Sequence, residues 1–197
     1  MMIVATVLIA CGTNKEKVSG SPTAKGAQTK TKQPVEPEVP PKAVQELTKD
    51  ISGNLSGLQT KASFMQAPFN SWFTPRYEAY SPDEATVESL KEQMKDVEIR
   101  AYMGTWCGDS KRETPNFYKL LDTVNFDLDQ LDMITVDRTK SKPTELVDGY
   151  DINRVPTFIF YRDGEELGRY VEYARESLEK DVLKIVSNQE YKHSYQQ

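Results

Sequence analysis

Histidine and cysteine are the scarce residues of this 197-residue chain, which has one of the first and two of the second. A single imidazole, His193, leaves Ser-His catalysis, Cys-His catalysis and His-rich metal sites without their parts. It is expected to be a solvated residue of a frayed tail. The two cysteines, Cys11 and Cys107, lie far apart in sequence, so no adjacent dithiol exists. A formal charge of −5 with 28% charged residues suits an ordinary soluble surface. Nothing clusters into the basic footprint that nucleic acid demands, which argues against such a partner. Asp122, Asp127, Asp129, Asp132 and Asp137 lack the glycine and terminal glutamate of a calcium loop, so they are expected to be solvated loop charge and no metal site is expected. The apolar run Met1 to Ala10 is too short to cross a bilayer as a helix.

That run reads as a signal segment over residues 1–10. Leu8-Ile9-Ala10-Cys11 resembles the bacterial lipobox, in which cleavage before the cysteine leaves its sulfur carrying diacylglycerol. The resemblance implies a lipoprotein attached through Cys11 to a membrane of a bacterial cell envelope, facing an extracytoplasmic space, and a double acyl anchor holds a protein stably there. No Lys or Arg precedes the apolar run, and the alternatives are an ordinary signal peptide or a free Cys11. After Cys11 the composition shifts to Lys, Thr, Ser, Gly, Gln and Pro, with six lysines against three glutamates between Gly12 and Lys42. Such a stretch buries too little apolar surface to fold, so residues 11–42 read as lipid anchor and disordered tether. Residues 43–71 read as a partly helical extension, and 72–197 as a single folded domain, one core being the prior at this length.

Within the extension, Val44, Leu47, Ile51, Leu55 and Leu58 approach helical spacing, interrupted by Gly53 and Gly57, and predict a short helix. Trp72 to Tyr80 alternates aromatic and polar groups around Pro75, which predicts an edge strand or extended arm. Its aromatic residues Trp72, Phe73, Tyr77 and Tyr80 fit core packing better than a groove lining. Ser81-Pro82-Asp83-Glu84 predicts a capping box with Ser81 as N-cap, followed by a buried stripe of Val87, Leu90 and Met94. Val97 to Met103 alternates as a strand does, and it delivers the chain to Cys107. Phe117, Leu120 and Leu121 then suit a helix on a sheet, Met133 to Val136 a strand, and Pro143 to Tyr150 a short helix. Thr157 to Tyr161 predicts a strand, Asp163-Gly164 a tight hairpin turn, and Glu166 to Tyr173 the returning strand. Leu178, Val182, Leu183 and Val186 close with an amphipathic helix. This order implies an α/β sandwich whose mixed central sheet is covered by helices on both faces.

Trp106-Cys107-Gly108-Asp109-Ser110-Lys111 and, about fifty residues on, Arg154-Val155-Pro156-Thr157-Phe158 together resemble a thioredoxin active site missing its second cysteine. Pro115 stands eight residues after Cys107, where members of the thioredoxin superfamily carry a proline in the active-site helix. Tyr150 to Thr157 is similar to the segment leading into the family's cis-proline. The resemblance covers the chain from about Trp72 to the last helix and implies a thioredoxin-like three-layer sandwich. It also implies that Pro156 is cis, that Val155 pairs with a substrate strand, and that Trp106 helps to shape the substrate site.

The same resemblance places Cys107 at a helix N-terminus, where unpaired N–H groups and the positive end of the helix dipole favour a thiolate. Asp109 opposes that charge, while Lys111 and Arg112 offset Asp109. Ser110, where the second cysteine would stand, is expected to donate a hydrogen bond to the sulfur and to be unable to resolve a mixed disulfide. Ala101 stands where many thioredoxins carry a buried acid. The resulting expectation is a monothiol thiol-disulfide oxidoreductase or isomerase with Cys107 as nucleophile. Its partners are protein thiols or disulfides and an external thiol reductant; it takes no cofactor and works as a monomer. The alternative is a noncatalytic thioredoxin-like lipoprotein that binds extended peptides through its cis-proline face.

Overall fold

Five strands pair in the order β1-β3-β2-β4-β5, with β2 and β3 parallel and every other pair antiparallel. The computed structural model describes residues 48–196. The signal segment, Cys11, the tether, Val44 and Leu47 lie outside them. The strands are β1 (Gly57–Gln59), β2 (Glu98–Met103), β3 (Leu131–Thr135), β4 (Thr157–Arg162) and β5 (Glu165–Val171). The helices are α1 (Lys61–Phe64), α2 (Asn70–Ala79), α3 (Glu84–Gln93), α4 (Gly108–Thr123), α5 (Thr144–Val147) and α6 (Leu178–Val186). This is the mixed-sheet α/β sandwich expected.

Successive strand residues point to opposite faces, and β2 contributes side chains to two cores. Ile99, Ala101 and Met103 enter the larger core with Phe117, Leu121, Phe158, Phe160, Leu178 and Val182. Tyr102 enters a smaller core with Ile134, Val136, Val147, Val155 and Ile159. The hairpin between β4 and β5 turns where expected, with Asp163 at φ 53° and Gly164 at φ 78°. Two successive positive φ values belong to the turn whose twist matches a hairpin.

Three local expectations fail. No helix spans Ile51 to Leu58. Gly53 and Gly57 take φ values of 78° and 84°, Lys49 bridges Leu55 across a turn, and Gly57–Gln59 becomes an edge strand on β3. Ile51, assigned to the apolar stripe, is fully exposed. Residues 72–80 form no strand but most of α2, so the division at residue 71/72 falls inside a helix. The signal was the series Phe69, Phe73, Tyr77, Tyr80, spaced for one helical face. A proline inside a helix costs roughly 3 kcal/mol. Packing offsets it: Phe73 is fully buried, stacks on Phe64 at 5.6 Å and meets Tyr118 of α4 edge-on at 5.8 Å. The N-cap of α3 is Asp83 and not Ser81, because the Asp83 carboxylate accepts from the Thr86 N–H at 2.9 Å and from its hydroxyl at 2.6 Å.

Several of the aspartates are more than solvated charge. Asp122 takes hydrogen bonds from Lys61 and Tyr77 and so ties α1 and α2 to α4. Asp132 faces Arg100 at 3.6 Å, and Asp137 accepts from the Ser141 and Lys142 N–H groups.

Glu179 of α6 plays a similar tying role under cover. Burial pushes its carboxyl up, but hydrogen bonds from the Tyr80 hydroxyl at 2.5 Å, from its own and the Asp83 N–H groups and from Ser177 outweigh burial and hold it below the usual range. A carboxyl lowered in the folded state stabilises fully above its unfolded value of about 4.3. That contribution is lost as pH falls through the lower, folded-state value. The urea midpoint of Glu179→Gln should therefore fall less between pH 7 and pH 3 than that of the unmodified chain; equal falls would remove Glu179 from the acid sensitivity.

Candidate active site

Strand β2 ends at Met103, and a short loop carries the chain into α4 with Cys107 as the N-cap residue, at φ −90° and ψ 132°. The Cys107 N–H donates to the Gly104 carbonyl at 2.9 Å, and its carbonyl accepts from the Lys111 N–H at 3.1 Å. These bonds fix the sulfur at the start of a sixteen-residue helix, whose first-turn N–H groups point outward past it. Gly104 leaves room that no other residue would, since a Cβ there would fall 2.5 Å from the Trp106 ring. The indole N–H of Trp106 donates to the Val136 carbonyl at 2.9 Å, and Arg138 lies 5.3 Å from the ring centroid.

The Val155-Pro156 bond is cis, as are two other X-Pro bonds, so contacts single out this one. The Cys107 thiol donates to the Val155 carbonyl, with Sγ and O 3.3 Å apart. The Thr157 hydroxyl donates to the Arg154 carbonyl at 2.8 Å, and the Glu172 N–H donates to the Pro156 carbonyl at 2.8 Å. The structure thus brings Trp106, Cys107, Val155 and Pro156 together from two segments half a hundred residues apart. Val155 is only 2% exposed, and no described residue accepts from its N–H.

Ser110 lies one turn into α4 and is fully buried. Its oxygen accepts from the Gly104 N–H at 3.1 Å, so the bond found for this hydroxyl braces the loop before Cys107, while the sulfur has Val155 as its partner. One further turn on, Thr114 carries a buried hydroxyl without a hydrogen-bond partner among the described residues. Arg112 pairs with Asp109 and with Glu113, each at 2.7 Å, which offsets Asp109 as its neighbours in sequence suggested. Glu113 in turn accepts from the Tyr170 hydroxyl at 2.8 Å, whose ionisation burial and the Glu113 charge push far upward.

Other neighbours carried no sequence signal. The Thr105 hydroxyl accepts from the Leu55 N–H at 3.2 Å and donates to Asn54 at 3.3 Å, so the chain ahead of β1 buttresses the Cys107 loop. His193 is half-buried and not solvated as expected. Burial and the nearby Arg169 charge lower its titration, and the segment after α6 folds back instead of fraying. There the Ser194 hydroxyl donates to the Tyr173 carbonyl at 2.7 Å, Tyr195 donates to the Glu172 carboxylate, and the Arg154 guanidinium sits 3.7 Å from the Tyr195 ring centroid. The bond to Glu172, with a smaller part from burial, pushes the Tyr195 hydroxyl up to about 12.

Known proteins resemble this chain in sequence and in fold. A thioredoxin-like protein of Acanthamoeba polyphaga mimivirus is 26% identical over 98 residues, 48% of this chain and 66% of that protein. Chicken thioredoxin is 25% identical over 103 residues, 52% of this chain and 90% of its own length. The chain therefore spans just under two thirds of the first relative and most of the second. Among solved structures, an HIV epitope-scaffold superposes with a TM-score of 0.50 at 13% identity, covering 68% of this chain and 94% of the scaffold, a likeness of fold alone. The thioredoxin family model matches residues 82–184, more than half of the chain and all of it from the start of α3 into α6, and on that match the chain belongs to the thioredoxin family.

Proposed function

We propose that this protein is a monothiol thiol-disulfide oxidoreductase or isomerase whose nucleophile is Cys107. The observation that carries the reading is the Cys107 sulfur at the head of α4, 3.3 Å from the carbonyl of Val155 ahead of the cis Pro156. A thiolate there attacks one sulfur of a substrate disulfide, forming a Cys107–substrate disulfide and releasing the other sulfur as a thiolate. A second thiol, from the substrate or from an external small-molecule or protein thiol, then attacks the mixed disulfide and returns Cys107 as thiolate. When a different thiol of the same substrate attacks, the substrate sulfurs end in a new pairing and the net reaction is isomerisation; attack by the sulfur just released only restores the original disulfide. With an external dithiol it is reduction of the substrate by two electrons that the donor loses.

Trp106, Val155 and Pro156 shape the site in this reading, and the Val155 N–H, from which no described residue accepts, offers an extended substrate strand a backbone donor. Ser110 holds the loop and supplies no resolving thiol. The Leu8-Ile9-Ala10-Cys11 segment supports a lipid anchor at Cys11 and a place in a bacterial cell envelope. The noncatalytic alternative keeps the same peptide face and discards the thiol chemistry.

The test uses a Cys11→Ser chain incubated with insulin and dithiothreitol, quenched in acid and alkylated. A mixed disulfide mapped to Cys107, together with insulin reduction at least about tenfold faster than in the Cys107→Ser partner, is expected. No adduct and no rate above dithiothreitol alone would leave the peptide-binding alternative standing. In a bacterial host fed a palmitate analogue, the native chain should take the label and Cys11→Ser should not; equal labelling sinks the anchor.

A further inference from the structure

We propose that Tyr195, in the segment after α6, is a specificity-determining residue of the Cys107 site, and that with Tyr173 it forms a subsite for an apolar or aromatic side chain beside the reacting half-cystine. The inference rests on the Cys107 reading above. Its residues lie where that reading puts the substrate. Arg154 directly precedes Val155, whose carbonyl meets the Cys107 sulfur, and Glu172 donates its N–H to the Pro156 carbonyl. Tyr195 touches both flanks: its ring covers the Arg154 guanidinium at 3.7 Å, and its hydroxyl donates to the Glu172 carboxylate. Arg154 and Glu172 also face one another at 3.5 Å, so charge at this edge is internally matched and the surface left to a ligand is aromatic.

That surface is exposed and held rigid. Four large hydrophobic side chains stand exposed among the described residues, and two of them are Tyr173 at 44% and Tyr195 at 40%. Their rings meet edge to face at 5.9 Å. The segment leading to Tyr195 is pinned at two points. The Tyr191 hydroxyl donates to the fully buried Asp181 at 3.2 Å, and the Ser194 hydroxyl donates to the Tyr173 carbonyl at 2.7 Å. An aromatic pair fixed before binding gives up little side-chain freedom when a ligand arrives, which is how tyrosine serves as an anchor in recognition surfaces. Tyr195 lies outside residues 82–184, the part of the chain that matches the family model, whereas Tyr173, Arg154 and Glu172 lie inside it.

The experiment compares two symmetric peptide disulfides, acetyl-Gly-Phe-Cys-Gly-amide and acetyl-Gly-Gly-Cys-Gly-amide, each oxidised to its dimer. Their reaction leaves one peptide joined to Cys107 and frees the other as thiol. On a Cys11→Ser background the Phe peptide should react about fivefold faster than the Gly peptide, the factor of one aromatic contact. In Tyr195→Ala the ratio should fall below about twofold, and Tyr195→Phe, which keeps the ring, should retain most of it. Because the readout is a ratio, a general loss of reactivity cancels. An unchanged ratio in Tyr195→Ala, or a Phe peptide that reacts faster with that variant, overturns the subsite. If the unmodified chain fails to react even with 4,4′-dithiodipyridine, the nucleophile reading fails instead. Binding of the S-methylated Phe peptide then decides the subsite, which stands if Tyr195→Ala weakens that binding by about fivefold and falls if it does not.

Discussion

Replacing Ser110 with cysteine should convert the site from one that needs an outside thiol into one that resolves its own mixed disulfide. Residues three apart at the start of α4 lie at the Cα separation a disulfide spans. A thiol introduced at position 110 is held beside Cys107, so its attack on the mixed disulfide becomes intramolecular and gains the advantage of effective concentration. The two substrate sulfurs leave as thiols, the two protein sulfurs end as a disulfide, and an external dithiol returns both. Insulin reduction driven by dithiothreitol should rise at least about tenfold in Ser110→Cys over the unmodified site. The gain is bounded, because Ala101 brings no carboxylate to the core behind the site and the incoming sulfur must replace an oxygen that accepts from the Gly104 N–H. A variant in which the thiols at positions 107 and 110 both titrate and which reduces insulin no faster would count against a preserved thioredoxin-like site.

What the sequence exposed and what it hid follow from how local each cause is. Asp163-Gly164 announced its turn because the φ values of that turn are a property of two residues. The helix after Cys107 and the last helix were legible from their apolar spacing, although in α6 Ile185 is buried where Leu183 was assigned. β1 was invisible because a three-residue strand exists by pairing with β3, more than seventy residues away. α2 was misread because Pro75 weighed against the aromatic spacing, and only the stack with Phe64 and Tyr118 decides that contest.

The site divides the same way. Cys107 at a helix start and Pro156 in the cis form came from likeness to a family, since no spacing rule joins positions 107 and 156. Ser110 was expected to donate to the Cys107 sulfur, and its oxygen is found accepting from the Gly104 N–H, a bond set by the loop before α4 that no local pattern marks. Tyr195 had no signal at all. Nothing in Lys192-His193-Ser194-Tyr195 indicates that this segment returns to Arg154 and Glu172, because its anchors, Arg154, Glu172, the Tyr173 carbonyl and Asp181, are scattered between residues 154 and 181.

Phe117→Ala should be the most destabilising single change near the site, because one stack of rings joins the two segments that make it. Phe117 lies on α4, ten residues after Cys107, and stacks on Phe158 with centroids 4.0 Å apart. Phe158 follows Pro156 by two residues on β4 and stacks in turn on Tyr170 of β5 at 5.4 Å. Phe117 also meets Phe160 edge-on at 6.1 Å, and all four rings are fully buried. Truncating a buried phenylalanine costs about 3–5 kcal/mol, the lost transfer energy plus the cavity left behind. That is a large share of the roughly 5–15 kcal/mol by which domains are stable. The urea midpoint of Phe117→Ala should fall accordingly, and that of Phe117→Leu, which keeps most of the volume, by less than half as much. A loss below about 1 kcal/mol in Phe117→Ala would mean that the stack does not hold α4 to the sheet. The position of the Cys107 sulfur against the Val155 carbonyl would then rest on the loop hydrogen bonds of Gly104 and Ser110 alone.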